Sequence, residues 1–134
     1  MATVETVYVG NLRTQATHVK SGVEAITDAP TDNHGKGESF SPTDLVVTAL
    51  TSCMITLMGI AANKEGIELK NLKASTTKHM QSNPRRISKI EVAMTMDASA
   101  LNDSQIEMLK KAALTCPVAL SINPAIEQVV TFNF

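Results

Sequence analysis

Tryptophan is missing from this chain, tyrosine occurs once and phenylalanine three times, so aromatic residues make up only 3% of its 134 residues. A core built on stacked rings is excluded. Leu, Ile, Val, Met and Ala must do the packing, and a hydrophobic content of 43% is enough for one core. The length suits a single domain spanning residues 1–134. Charge of one sign is lacking too: the net charge is −1 and the pI about 6.3. No basic field is present for general nucleic-acid or membrane-surface binding, and Arg85-Arg86 reads as a solvated turn. Met1–Gly10 carries Glu5 and alternates polar with apolar residues, unlike a basic start followed by an apolar stretch. The expected location is therefore the cytoplasm. Only two cysteines occur, and in an unsecreted chain they are better read as free or catalytic thiols than as a staple. His18, His34 and His79 are scattered, with no pair at metal-ligand spacing, so neither a metal nor a cofactor is expected. Gly35-Lys36 is followed by Gly37 rather than Ser or Thr, which excludes a P-loop. No nucleophile-elbow pattern supports a Ser–His hydrolase.

Against these absences stands one long uncharged run, Leu45 to Asn63, with Cys53 in its middle. Ser41 is a good N-cap, Pro42 suits the first helical position, and Asp44 completes a Ser-x-x-Asp variant of the capping box. Gly66 is a natural residue to close the helix. The spacing predicts about six turns. The run nearly has membrane-spanning length, but it holds Thr48, Thr51, Ser52 and Thr56 and lacks an aromatic belt or a Lys/Arg asymmetry at its ends. It reads instead as the central helix of a soluble domain, covered on most sides. One small sheet is not expected to supply that cover, which argues for a homodimer sharing the core. Ala49, Ser52, Cys53, Thr56 and Gly59 form a stripe of small residues that would admit another backbone.

Before this helix the pattern predicts three strands, through Val7 and Val9, over Leu12–Val19 and over Val23–Thr27. Gly10-Asn11 and Ser21-Gly22 mark the turns. Residues 28–41 read as a loop whose only large apolar residue is Phe40. After the helix, strands are predicted over Ile67–Lys78 and Ile87–Asp97, with Asn83-Pro84 between them; Ile90, Val92, Met94 and Met96 share one face of the latter. Asp103 is expected to cap a second helix to about Leu114. Cys116-Pro117-Val118-Ala119-Leu120 opens a short third, and Ile126–Phe134 is a last strand. Strands on both sides of a buried helix define an α+β class.

The two thiols differ in setting. A free cysteine titrates near 8.5, so about a few per cent is thiolate at neutral pH. Mid-helix Cys53 gains little from the helix dipole, and burial would suppress it further. To react it needs an outside cation; a guanidinium about 4 Å away is worth roughly 4 kcal/mol at an effective dielectric near 20, before desolvation. Cys116, before Pro117, can occupy an N-cap with the amides of Val118 and Ala119 facing its sulfur, which taken alone makes it the more acidic thiol. Two packed, inert thiols is an equally good reading of composition alone.

At these residues the chain resembles the OsmC/Ohr family of bacterial thiol-dependent peroxidases, over essentially its whole length. The resemblance lies in Pro42 eleven positions before mid-helix Cys53, the polar loop preceding it, and Cys116-Pro117-Val118-Ala119-Leu120. Ser41-Pro42-Thr43-Asp44-Leu45 is similar to the broad OsmC-like branch. The fold so implied is α+β, with antiparallel sheets wrapped around a long central helix in an intertwined homodimer. The resemblance makes Cys53 the peroxidatic and Cys116 the resolving cysteine, which reverses the local ranking, and makes Arg13 the activating cation. It implies reduction of organic hydroperoxides through a sulfenic acid and then a disulfide, with an external dithiol as reductant. Met54 and Met58 would furnish apolar walls. One departure stands out: the family glutamate that follows the helix-opening proline and pairs with the arginine is here Thr43. Asp44 and Glu38 are nearby acids that could orient Arg13, though a carboxylate one position along a helix points roughly 100° away. His18, on the Arg13 strand, could line the site. The competing expectations are a degenerate module holding a small apolar ligand without turnover, and a structural dimer with inert thiols.

Overall fold

The computed structural model describes all residues, 1–134. The chain divides into two compact units, Met1–Val46 and Val47–Phe134.

The first unit is an antiparallel meander of β1 (Val4–Gly10), β2 (Arg13–His18) and β3 (Glu24–Asp28). Both predicted turns form. Gly10, Asn11 and Leu12 all have positive φ, at 88°, 54° and 63°. Gly22 closes the second turn with φ 77° and its amide on the His18 carbonyl. The predicted loop follows, with one turn of 3-10 helix at Thr31–Asn33, and it returns to β3 through a bridge between Thr27 and Phe40. Glycine is required at position 35, where a Cβ would stand 1.7 Å from the Ala29 carbonyl oxygen.

Helix α1 runs from Pro42 to Lys64. The capping box forms as expected: the Ser41 amide donates to Asp44 Oδ2 (2.9 Å), and the Asp44 amide donates to Ser41 Oγ (3.1 Å). At the other end Gly66 adopts φ 65°. The Ile67 amide reaches the Ala62 carbonyl and the Gly66 amide that of Asn63, a Schellman closure.

The second unit carries β4 (Lys73–Gln81), β5 (Arg86–Thr95), α2 (Asp103–Leu114), α3 (Pro117–Ser121) and β6 (Glu127–Asn133). The sheet order is β4-β5-β6. The expectation of antiparallel pairing holds for β4 with β5, whereas β6 joins β5 in parallel, because two helices intervene and return the chain to the same end. In the core, Leu50, Met54 and Met58 of α1 pack with Ile90, Val92 and Met94 of β5, Leu109 and Ala113 of α2, and Cys116. Helix α1 is long and apolar enough to cross a membrane by length and composition, yet its Val47, Leu50, Met54, Met58, Ala62 stripe is core.

Two of the boundaries that differ from expectation have a clear local cause. The strand predicted from Ile67 begins only at Lys73, since Asn71 takes φ 56° and breaks the extended run; Ile67, Leu69 and Leu72 pack against the core from the preceding turn. Helix α2 is capped by Asn102 rather than Asp103. Asn102 Oδ1 accepts from the Gln105 amide (2.9 Å), and Gln105 Oε1 accepts from the Asn102 amide (3.0 Å).

Candidate active site

Within the first unit the turn at Gly10–Leu12 delivers Arg13 as the first residue of β2. Leu12 at φ 63° is a left-handed position that costs a side-chain-bearing residue about 1–2 kcal/mol; its amide donates to the Tyr8 hydroxyl and its carbonyl accepts from the Ala29 amide. The register sets Arg13 directly opposite Asp28. Arg13 Nη2 lies 3.3 Å from Asp28 Oδ2 and 3.0 Å from Glu38 Oε1. The two acids differ in kind: the Asp28 side chain is 0% exposed and that of Glu38 59%. Asp28 Oδ2 also accepts from the Glu38 amide at 3.0 Å. That amide, aided by the Arg13 guanidinium, outweighs burial and holds the Asp28 carboxyl below its ordinary value. Arg13 Nε and Asp28 Oδ1 are buried and make no hydrogen bond.

Glu38 therefore meets Arg13, as one of the two acids proposed from sequence. Asp44 serves the helix cap instead. Thr43 presents a hydroxyl 3.2 Å from Ser41 Oγ, where the resemblance called for a carboxylate. Beside this constellation Gly37, Glu38, Ser39, Phe40 and Asp44 line an open recess of about 450 Å³, with Phe40 exposed. His18 does not share this face. It lies five residues along β2, an odd offset that turns it to the opposite side, and its Nδ1 is 2.6 Å from Ser21 Oγ.

In the second unit the two thiols meet. Cys116 is the N-cap of α3, with the Ala119 amide donating to its sulfur at 3.3 Å, as the Cys-Pro-Val-Ala pattern predicts. It has no exposed surface. Burial pushes its pKa up, beyond what the Ala119 amide offsets, and the neighbouring Cys53 thiol raises it further. The expectation that the amides at its N-cap position make Cys116 acidic is thus corrected, since desolvation outweighs them. Cys53 is half-buried and packs against the core that holds Cys116. Met54, proposed as a pocket wall, is fully buried core, as is Met58. Thr56 Oγ1 bonds the Ser52 carbonyl, the usual fate of a helical threonine.

The residue that sequence reasoning missed is Asp28. Aspartate next to Ala29-Pro30 reads as a loop residue, and only the strand register sets it against Arg13.

Comparison with known proteins adds the following. The model of the OsmC-like protein family matches residues 35–130. A crystal structure from Psychrobacter arcticus 273-4, described as that of an osmotic stress induced and detoxification response protein, superposes with a TM-score of 0.94 at 47% identity, covering 99% of this chain and 96% of that one. An organic hydroperoxide resistance protein OsmC from Legionella pneumophila matches at TM-score 0.76 and 15% identity over 100% and 98% of the two chains. An organic hydroperoxide resistance protein from Elizabethkingia anophelis with bound thiocyanate matches at 0.74 and 12% over 99% and 96%. The last two share the fold. No curated protein matches the chain.

Proposed function

The chain belongs to the OsmC-like family, and from that premise we propose that it is a cysteine-based peroxidase acting on organic hydroperoxides. The observation that carries this reading is the pairing of half-buried Cys53 with fully buried Cys116. In the proposed cycle the Cys53 thiolate attacks the O–O bond of a hydroperoxide. The alkoxide leaves, takes up a proton and departs as the alcohol, and Cys53 is left as a sulfenic acid. The Cys116 thiol condenses with it, releasing water and forming a disulfide, which an external dithiol reduces by exchange. In this reading Arg13 supplies the cation that a mid-helix thiol needs, its guanidinium held by Asp28 and Glu38. Phe40 at the rim of the recess offers an apolar contact suited to an organic substrate. The working form in this reading is a homodimer, in which a second copy covers the exposed Leu45, Val46 and Ile60 of α1.

A second reading, a ligand-binding module without turnover, has the hydroxyl of Thr43 in its favour. The deciding experiment is sulfenic-acid trapping and disulfide mapping after stoichiometric organic hydroperoxide, with Cys53→Ser and Cys116→Ser variants. The peroxidase reading expects rapid oxidation at Cys53, trapped as sulfenic acid in Cys116→Ser and as a Cys53–Cys116 disulfide otherwise. Slow, equal oxidation of both thiols would sink it. Retention of an apolar ligand by Cys53→Ser would then favour the binding module.

A further inference from the structure

Asp28 is the only charged side chain without solvent exposure. A carboxylate is costly to bury unless it is paired and hydrogen-bonded, and this one is paired with Arg13 through a single oxygen. That same Oδ2 accepts from the Glu38 amide. One atom thus ties the guanidinium to the loop carrying Glu38 and Phe40, and the loop is closed onto β3 by the Asp28 amide on the Phe40 carbonyl and the Gly37 amide on the Ala29 carbonyl. Glu38 shares Nη2 with Asp28 but is largely exposed and stands on the loop, so solvent competes for it. Asp28 stands on a paired strand and has no such alternative.

We propose that Asp28 is the positioning residue for Arg13, in the part that a carboxylate at position 43 would otherwise take, with Glu38 as an exposed second acid. The assignment rests on the reading above that Arg13 activates Cys53. A guanidinium on a long, rotamer-rich side chain delivers its field to a fixed point only when its own partners hold it. Asp28 touches neither thiol nor substrate in this role; it acts through Arg13.

The test is the pH profile of iodoacetamide alkylation at Cys53, read by peptide mapping on the full chain, which requires no peroxide turnover. Asp28→Ala is expected to shift the profile upward and slow alkylation at pH 7 about tenfold, the factor of a one-unit shift. Asp28→Asn, whose amide oxygen accepts the same two hydrogen bonds, is expected to recover most of the rate. Asp28→Ser, which cannot span to the guanidinium, takes the place of the alanine variant should that one not fold. Arg13→Ala is expected to give the same upward shift, and the double variant Arg13→Ala/Asp28→Ala no more than Arg13→Ala alone. An unshifted profile in Asp28→Ala or Asp28→Ser, with a shift in Arg13→Ala, overturns the role of Asp28 and leaves the activation by Arg13 standing. An unshifted profile in Arg13→Ala removes that activation, and the role of Asp28 with it.

Discussion

At the scale of single residues, two buried ionisable groups depart from their ordinary titration in opposite senses. Cys116 is pushed above its ordinary value, first by burial. The unfolded thiol therefore ionises before the folded one. Its contribution to stability is full below the ordinary value and is lost as pH rises from there through the raised one. Asp28 is held below 3.8, first by the Glu38 amide. Its contribution is full above that value and is lost as pH falls through the lowered one. Urea denaturation across pH is expected to show both slopes in the parent protein. Cys116→Ala should flatten only the alkaline limb and Asp28→Asn only the acid limb; parallel curves for parent and variants would refute the assignment. The same two residues show what a sequence conveys. Cys-Pro-Val-Ala announces an N-cap and the structure forms it, but the burial that raises the Cys116 pKa is supplied by chain far away in sequence. Asp28 was illegible because of a strand boundary. The sequence pattern ends the third strand at Thr27 and starts the loop at residue 28, whereas Asp28 is the last residue of β3 and stands opposite Arg13.

At the scale of elements, local chemistry explains most of what forms. Ser41, Pro42 and Asp44 start α1, and Gly66 ends it. At the start of α2 a neighbour one position away had the better geometry. Asn102 reaches the N3 amide while Gln105 reaches back; Asp103 is already inside the helix. Replacing Asn102 with Ala removes one arm of this box and is expected to cost about 1 kcal/mol, measured by chemical denaturation. Asp103→Ala should cost less than half of that. The reverse order would restore Asp103 as the cap. The parallel entry of β6 could not be read locally, because its sequence suits either orientation and the choice follows from the path of α2 and α3.

At the scale of the whole molecule, a single chain leaves too much apolar surface uncovered. Val4, Val7, Tyr8 and Val9 are exposed on both faces of β1, and Leu45, Val46 and Ile60 are exposed on α1. We propose that a second copy of the chain, with the same uncovered α1, covers these residues. Light scattering is expected to give about twice the chain mass of 14.3 kDa. A stable particle of the single-chain mass would remove the dimer. Replacing exposed Ile60 with Asp should shift the parent toward that smaller species while leaving the Leu50–Met54–Met58 core intact.

What the amino-acid sequence determined by itself is whatever depends on near neighbours: the strand and helix types, both ends of α1, the cap at Cys116, the shared face of Ile90, Val92, Met94 and Met96, and the family resemblance carried by Pro42, Cys53 and Cys116-Pro117. These rest on periodicity and on hydrogen bonds closed within a few residues. Tertiary structure alone decided that Cys53 lies against Cys116, that Met54 is core rather than pocket wall, and that Asp28 holds Arg13. Each of these depends on contacts between residues well separated in the chain, where a slip of one or two positions changes the partners and no local energy term records the difference.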